Sequence, residues 1–154
     1  MEGSNGKTVE REEPEVRGCY PHFLSVPTRW MDNDVYGHVN NVIYYSYFDT
    51  VVNEYLIRSG VLDIESSPII GLVVETQCRF FKSLTFPDTV HAGLRVACLG
   101  RSSVRYEIGL FRNEDKTAAA QGHFVHVYVE RESRKAIALP PGMRVVLEKI
   151  LVGE

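Results

Sequence analysis

Several features that mark large protein classes are scarce or missing in this sequence. Only three cysteines occur, Cys19, Cys78 and Cys98, and no two of them form a CxxC pair. That count suits free thiols in a reducing cytoplasm better than a disulfide framework. No apolar run approaches the roughly 20 residues of a membrane helix, and the polar, acidic start lacks the hydrophobic segment of a signal peptide. We therefore expect a cytoplasmic protein without a membrane span.

Sequence motifs of other functional classes are missing as well. The net charge is −3 and no block of lysine and arginine stands out, so we expect no nucleic-acid partner. HxxxH, CxxC and HExxH spacings are absent, and His123 and His126 would face opposite sides of a strand. We therefore predict no metal site. The absence of a GxSxG turn argues against a serine hydrolase.

The composition that is present fits one globular domain. A chain of 154 residues with 44% apolar residues can build a hydrophobic core. We expect residues 1–18 to form a flexible N-terminal tail and residues 19–154 to form a single domain. From Asn41 to about Ser59, apolar residues recur at steps of three and four, and Gly60 provides a stop. This helix is apolar over most of its circumference, which predicts that it is buried.

Beyond Pro68 the apolar period changes from helical to two, which is typical of strands. Turn signals divide this region into four strands, one proline-interrupted strand precedes the helix, and a short helix beginning at a Pro-Pro pair follows. Consecutive strands without crossover helices imply a meandering antiparallel sheet. The pattern therefore predicts an α+β fold in which an antiparallel sheet wraps around one long central helix.

A dense polar cluster, "DNDVYGHVNN" at residues 32–41, directly precedes this helix. Asp, Asn and Gly are common in turns and helix caps, so the cluster could be purely structural. A single cap needs only one or two side chains, however, and a sheltered helix N-terminus can hold a developing oxyanion. We interpret Asp32 and the asparagine side chains as capping groups. The cluster therefore combines acidic side chains with a possible oxyanion donor, which are two of the parts that acyl transfer requires.

The same residues carry a resemblance to a known family. The stretch "DNDVYGHVNNVIYYSYFD" is similar to the D-x-D-x-x-G-H-V-N-N signature of hotdog-fold acyl-CoA thioesterases, the 4-hydroxybenzoyl-CoA thioesterase-like family. "CRFFKSLTFPDTV", "LGRSSVRYE" and "GHFVHVYVE" resemble later strands of that family, in the same order. The resemblance covers roughly residues 20–150 and implies a hotdog fold.

The resemblance also implies an activity and a set of site residues. It implies hydrolysis of an acyl-CoA thioester without a cofactor, since coenzyme A is part of the substrate. Asp34 matches the catalytic carboxylate, as nucleophile or as general base, and the Asn41 N–H matches the oxyanion donor. His38 matches a functional histidine in a related subgroup. The expected substrate-binding residues are Tyr36, Asn40, Tyr45, Lys82, Arg101 and Ser103.

Alternatives to this function remain open at this stage. A hydratase on the same fold is disfavoured because no Pro-Gly pair follows His38. A non-catalytic acyl-CoA-binding module would keep the pocket without needing Asp34, and a thioesterase could act on an acyl-carrier protein instead of CoA. The acyl group, fatty or aryl, does not follow from the sequence. In the family, sheets join edge to edge, so we expect a homodimer or homotetramer with active sites between subunits.

Overall fold

The computed structural model describes residues 13–153. Within that range it contains one five-stranded antiparallel sheet and two α-helices, so the predicted α+β order of elements is confirmed. Short 3-10 turns lie at Arg17–Cys19 and Trp30–Asp32. The elements in chain order are β1 His22–Pro27, α1 Asn41–Arg58, β2 Ile69–Phe80, β3 Thr89–Leu99, β4 Ser103–Arg112, β5 Ala120–Glu130 and α2 Pro141–Glu148.

The order of strands in the sheet is β1-β3-β4-β5-β2. The prediction of four meandering strands is therefore wrong for β2, which pairs with β5 instead of β3. Residues 81–88 carry the chain across the sheet between β2 and β3, and Leu84 in this link is fully buried. Alternation of apolar residues defines a strand but does not name its partner, so the sequence could not reveal this swap.

Strand β2 is one of the two edge strands of the sheet, and β1 is the other. The only strand partner of β2 among the described residues is β5, and residues 71–77 of β2 are all exposed. The exposed set includes the apolar side chains of Leu72, Val73 and Val74. An unpaired apolar edge of this length is a template for pairing with another strand.

Helix α1 lies across the concave inner face of the sheet. Phe48, Val51 and Val52 are fully buried, together with alternate residues of β3, β4 and β5. The expectation of burial on nearly all sides is wrong for one face, where Val42 is 72% exposed and Ser46, Asp49 and Thr50 are also exposed. The sheet covers a helix only from one side, so the face directed away from the sheet stays open within one chain.

The outer face of the sheet is partly covered by residues 13–20. Tyr20 is 5% exposed and lies over Gly93 and Gly109, where an added Cβ would lie 2.8 Å and 2.7 Å from the tyrosine ring. The Ala118 N–H donates to the Glu15 carbonyl at 2.9 Å. Residues 13–18, assigned to the tail from their polarity, are thus held on the sheet by backbone pairing. Residues 1–12 of the predicted tail lie outside the described residues.

Candidate active site

The loop that precedes α1 is anchored by Asp32. Its carboxylate is 1% exposed and accepts hydrogen bonds from the Arg29 guanidinium at 2.8 and 3.0 Å and from the Tyr47 hydroxyl at 2.8 Å. Burial alone would raise the pKa of this carboxyl, but the hydrogen bonds from Arg29 and Tyr47 outweigh it and hold the pKa below its usual range. Asp32 is therefore a structural ion, which agrees with the capping role predicted for it.

Asp34 occupies a tight turn two residues further on. Its carbonyl accepts the Gly37 N–H at 3.0 Å and its own N–H donates to the His38 carbonyl at 2.9 Å. Gly37 has a φ of +84°, a conformation that glycine adopts without steric cost. The turn presents the half-buried Asp34 side chain outward, and Oδ1 accepts the Tyr36 N–H at 2.8 Å. Among the described residues no bond to Oδ2 occurs, which leaves that oxygen available to a substrate or water.

The start of α1 supplies a free backbone donor. The Asn40 side chain caps the helix by accepting the Val42 N–H at 2.9 Å, as predicted for the asparagines. The Ile43 N–H donates to the Asn40 carbonyl at 2.9 Å. The Asn41 N–H has no intrahelical acceptor because it belongs to the first turn, and within residues 13–153 no other group accepts it. The helix dipole makes such a donor favourable for a negative charge.

Asp34 and Asn41 line the same cavity, which has a volume of about 430 Å³. One wall comes from the loop and the first turn of α1, and the other comes from the end of β2 and the residues after it. The side chains are mixed: a carboxylate, an imidazole and an amine face aromatic rings. The lining residues are Asp34, Tyr36, His38, Val39, Asn41, Tyr44, Phe80, Phe81, Lys82 and Ser83.

An apolar hollow adjoins this cavity on the other side of Asp34. Trp30, Met31 and Val35 line it and are 76%, 72% and 94% exposed, respectively. Tyr36 and Asp34 border both spaces. Large exposed apolar side chains in one patch are typical of a binding surface. The acid therefore stands between a mixed cavity and an apolar surface.

Of three further predicted site residues, His38 and Lys82 line the cavity with Asp34, whereas Tyr45 does not. His38 is exposed and lines the cavity. Lys82 also lines it, but its Nζ approaches Asp115 Oδ2 at 3.3 Å, so its charge is partly engaged. Tyr45 is half-buried and packs edge-on against Phe48 at 5.8 Å, on the core side of α1.

The remaining predicted residues, Arg101 and Ser103, are not brought to Asp34 within one chain. The Asp34 loop is tied to the start of β3, since Asn33 Oδ1 accepts the Phe86 N–H at 3.1 Å. Arg101 lies after the opposite end of β3, where its carbonyl accepts the Leu139 N–H at 2.8 Å. A strand of 11 residues separates the two ends by roughly 30 Å.

Five cavity residues were missed as site residues from the sequence, namely Val39, Tyr44, Phe80, Phe81 and Ser83. Tyr44 is 2% exposed and its ring packs edge-on against Phe80 at 4.8 Å. The spacing of three residues from Asn41 to Tyr44 placed both on the same side of a helix, so this signal was available. The approach of Phe80 depends on the position of β2 in the sheet, which the sequence pattern did not give.

No metal centre is apparent in the part of the chain that the structure describes. No group of three or more His, Cys, Asp or Glu side chains capable of holding a metal ion occurs among residues 13–153. In the same range, no helix is long and apolar enough to cross a membrane. His123 and His126 face opposite sides of β5, as predicted: His123 Nε2 lies 2.6 Å from Glu75 Oε2, whereas His126 is stacked on Phe124.

Comparison with known proteins identifies the family. The family model of the thioesterase-like superfamily matches residues 26–147 of this chain. The chain belongs to this superfamily. The PA5185 protein from Pseudomonas aeruginosa PAO1 is 49% identical in sequence to this chain. Its crystal structure matches with a TM-score of 0.89, and the match covers 92% of this chain and 99% of PA5185. The hotdog fold implied by the sequence resemblance is confirmed.

Two further proteins are similar to this chain over most of its length. A thioesterase from Thermus thermophilus, whose structure contains coenzyme A and zinc, is 28% identical over 85% of this chain and 95% of that chain, with a TM-score of 0.70. The YsmA protein of Bacillus subtilis strain 168 is 25% identical over 124 residues, which cover 80% of this chain and 83% of YsmA. The family match and the likeness to the Thermus thermophilus thioesterase make the protein a thioester hydrolase.

Proposed function

We propose that the protein hydrolyses acyl-CoA thioesters and that Asp34 is its catalytic carboxylate, acting as nucleophile or general base. The observation that carries the proposal is the position of the Asp34 carboxylate in one cavity with the unpaired N–H of Asn41. Acyl transfer requires an activated oxygen nucleophile and a donor for the carbonyl oxygen. This cavity contains a candidate for each: the Asp34 carboxylate for the nucleophile and the Asn41 N–H for the donor.

The reaction can be described by what each group does. The thioester carbonyl oxygen accepts the Asn41 N–H at the positive end of α1, which stabilises the charge that develops on that oxygen. The Asp34 carboxylate either attacks the carbonyl carbon or takes a proton from a water that attacks it. The carbon–sulfur bond then breaks and CoA leaves as a thiolate, which takes up a proton. If Asp34 attacks directly, the product of this step is an acyl–Asp34 anhydride, and water then hydrolyses it to the free acid and the restored carboxylate. If water attacks, the free acid forms at once and Asp34 passes the proton it took to the thiolate.

The other residues near Asp34 have supporting roles. His38 lines the cavity without a side-chain partner among the described residues, so it can hold the attacking water or the substrate. Tyr36 lies beside Asp34 on the border of the apolar hollow, where it can contact the acyl group, and Lys82 lies on the far wall. We expect His38→Ala to reduce kcat less than Asp34→Ala does, because His38 assists a step that Asp34 performs.

A homodimer that pairs two β2 edges would bring Asp34 of one chain toward Arg101 of the other. In an antiparallel pair about a two-fold axis, the end of β2 near Phe80 lies beside the opposite end of the partner strand. The turn at 100–103 belongs to that opposite end, since Ser103 pairs with Val127 and Ile69 pairs with Glu130. Arg101 and Ser103 of each chain would then approach the other chain's Asp34, where a guanidinium can bind CoA phosphates.

Mixed dimers test this arrangement. We expect Asp34→Ala and Arg101→Ala chains to be inactive or weak alone, but a dimer of one with the other contains one site with both wild-type residues. We expect activity to return when the two variants are mixed and exchange subunits. The matched control for loss of an exposed arginine is the same experiment with Arg134→Ala in place of Arg101→Ala. A monomer by sedimentation, or no recovery in confirmed mixed dimers, would contradict the shared site. A tetramer built from two such dimers is compatible with it.

Two alternatives differ in their products. A module that only binds acyl-CoA would retain affinity but release no CoA, whereas an enzyme specific for acyl-carrier protein would act on that thioester and leave CoA esters intact. We therefore propose a panel of fatty and aryl acyl-CoA esters and the matching acyl-carrier-protein thioesters, with free thiol as the readout. The three free cysteines suit activity in the reducing cytoplasm.

A further inference from the structure

Tyr44 places a buried phenol in the wall of the cavity that contains Asp34 and Asn41. The side chain is 2% exposed, yet it lines the cavity. Its oxygen accepts the backbone N–H of Leu84 at 3.1 Å, and its ring is fixed edge-on against Phe80 at 4.8 Å. The phenol is therefore held in one position before any substrate binds.

The hydroxyl hydrogen of Tyr44 is left without an acceptor in the part of the chain that the structure describes. A phenol both accepts and donates, and here the accepting capacity is used by Leu84 whereas no acceptor for the hydrogen occurs among the described residues. Burial raises the pKa of Tyr44, which keeps the hydroxyl protonated at neutral pH. A buried donor aimed at no protein acceptor but bordering a cavity is available to a ligand.

The phenol oxygen lies near the level of the helix start. The Leu84 N–H donates to this oxygen. The Leu84 carbonyl accepts the Val39 N–H at 2.7 Å. Val39 is two residues before Asn41, and both line the cavity. In addition, side chains of an α-helix lean toward its N-terminus, which brings the Tyr44 side chain back toward the turn that contains the Asn41 N–H.

We propose that the Tyr44 hydroxyl is a second donor to the thioester carbonyl oxygen, beside the Asn41 N–H. This inference rests on the proposed thioesterase function of the Asp34 cavity. When an oxygen of Asp34 or of water bonds to the carbonyl carbon, the π electrons move onto the carbonyl oxygen. Tyr44 donates a hydrogen bond to that oxygen and keeps its proton. When the carbonyl re-forms, the carbon–sulfur bond breaks and the electron pair leaves with the CoA thiolate.

The test is Tyr44→Phe, which keeps the ring and removes only the hydroxyl. Loss of one oxyanion donor lowers kcat on the order of 100-fold, and we expect KM to stay nearly constant because the interaction strengthens in the transition state. Tyr55→Phe is the matched control: Tyr55 is on the same helix and its hydroxyl donates to the Val146 carbonyl at 2.5 Å, outside the cavity. We expect Tyr55→Phe to retain kcat within about twofold.

A second substrate series separates a carbonyl donor from other roles. If Tyr44 acts on the carbonyl oxygen, Tyr44→Phe lowers kcat by the same factor for two kinds of substrate. These are CoA esters and esters of aryl thiols, which are more acidic than the thiol of CoA. A deficit that shrinks as the thiol becomes a better leaving group overturns the assignment, because the hydroxyl would then act on sulfur. Equal kcat losses in Tyr44→Phe and Tyr55→Phe overturn it as a general effect of a lost hydrogen bond.

The proposed function can fail separately from this inference. If wild-type protein releases no CoA from any ester, the thioesterase proposal itself fails. If wild-type activity is present and Asp34→Asn abolishes it, but Tyr44→Phe retains wild-type kcat, only the role of Tyr44 is refuted. The folded state of each variant is checked by its urea unfolding midpoint, with Tyr55→Phe as the reference.

Discussion

The buried side chain of His126 is expected to make the protein less stable in mild acid. The side chain is 5% exposed and its ring is stacked on Phe124, with a centroid distance of 5.4 Å. Nε2 is buried and has no hydrogen-bond partner among the described residues. Burial lowers the pKa of His126 to about 4, whereas the unfolded chain takes up this proton near its ordinary value of about 6.5.

The size of the effect follows from this difference in pKa. Below pH about 6.5 His126 binds a proton in the unfolded state but not in the native state, so the free energy of unfolding falls as the pH falls. The fall ends near pH 4, where His126 also becomes protonated in the native state. Each pH unit in this window costs about 1.4 kcal/mol. His126 should therefore lower the free energy of unfolding by about 2 kcal/mol at pH 5 relative to pH 8.

The assay is urea unfolding of the wild type and of His126→Phe at pH 5 and pH 8. Phenylalanine keeps an aromatic ring beside Phe124 and cannot titrate, while every other titrating group is common to both proteins. The protein concentration is held constant because association contributes to apparent stability. We expect the wild type to lose about 2 kcal/mol more than the variant between the two pH values. Equal losses in the two proteins would refute the burial of a neutral His126.

Two other predictions concern the structural support of the site. Tyr47→Phe removes a hydrogen bond to the buried Asp32 carboxylate and should reduce the free energy of unfolding by about 1–3 kcal/mol; a loss below about 0.5 kcal/mol would contradict the anchoring role. Gly122→Ala would place a methyl group against the Gln77 carbonyl oxygen of the neighbouring strand and should cost more than about 3 kcal/mol. Gly142→Ala, with nothing within 4 Å of the added Cβ, is the control, and similar losses in both would contradict the close contact.

The local elements could be predicted from the sequence because each carries its own signal. Helix α1 runs from Asn41 to Arg58, as the three-and-four spacing and Gly60 indicated, and Asn40 caps it. The different roles predicted for Asp32 and Asp34 came partly from the preferences of turn and cap positions, for Asp32, and partly from the family resemblance, for Asp34. Asp32 indeed has its carboxylate bonded within the loop, whereas that of Asp34 is directed outward.

Long-range placement could not be predicted in the same way. The pairing of β2 with β5 depends on how a connecting segment crosses the sheet, and no local pattern records this. Consequently the approach of Phe80 to Tyr44, and the distance between Arg101 and Asp34, became visible only in three dimensions. The contacts of Glu15 with Ala118 and Gln121 likewise join residues about a hundred positions apart, so polarity alone suggested a free tail.

The most direct test of the central proposal is CoA release by Asp34→Asn. Asparagine keeps the size of the side chain and an oxygen that can accept the Tyr36 N–H, but it is neither a nucleophile nor a base. Asp49→Asn is the matched control, because Asp49 is an aspartate on the exposed face of α1, outside the cavity. We predict that wild type and Asp49→Asn release CoA at similar rates and that Asp34→Asn is slower by at least on the order of 100-fold. Undiminished release by folded Asp34→Asn would contradict the proposal.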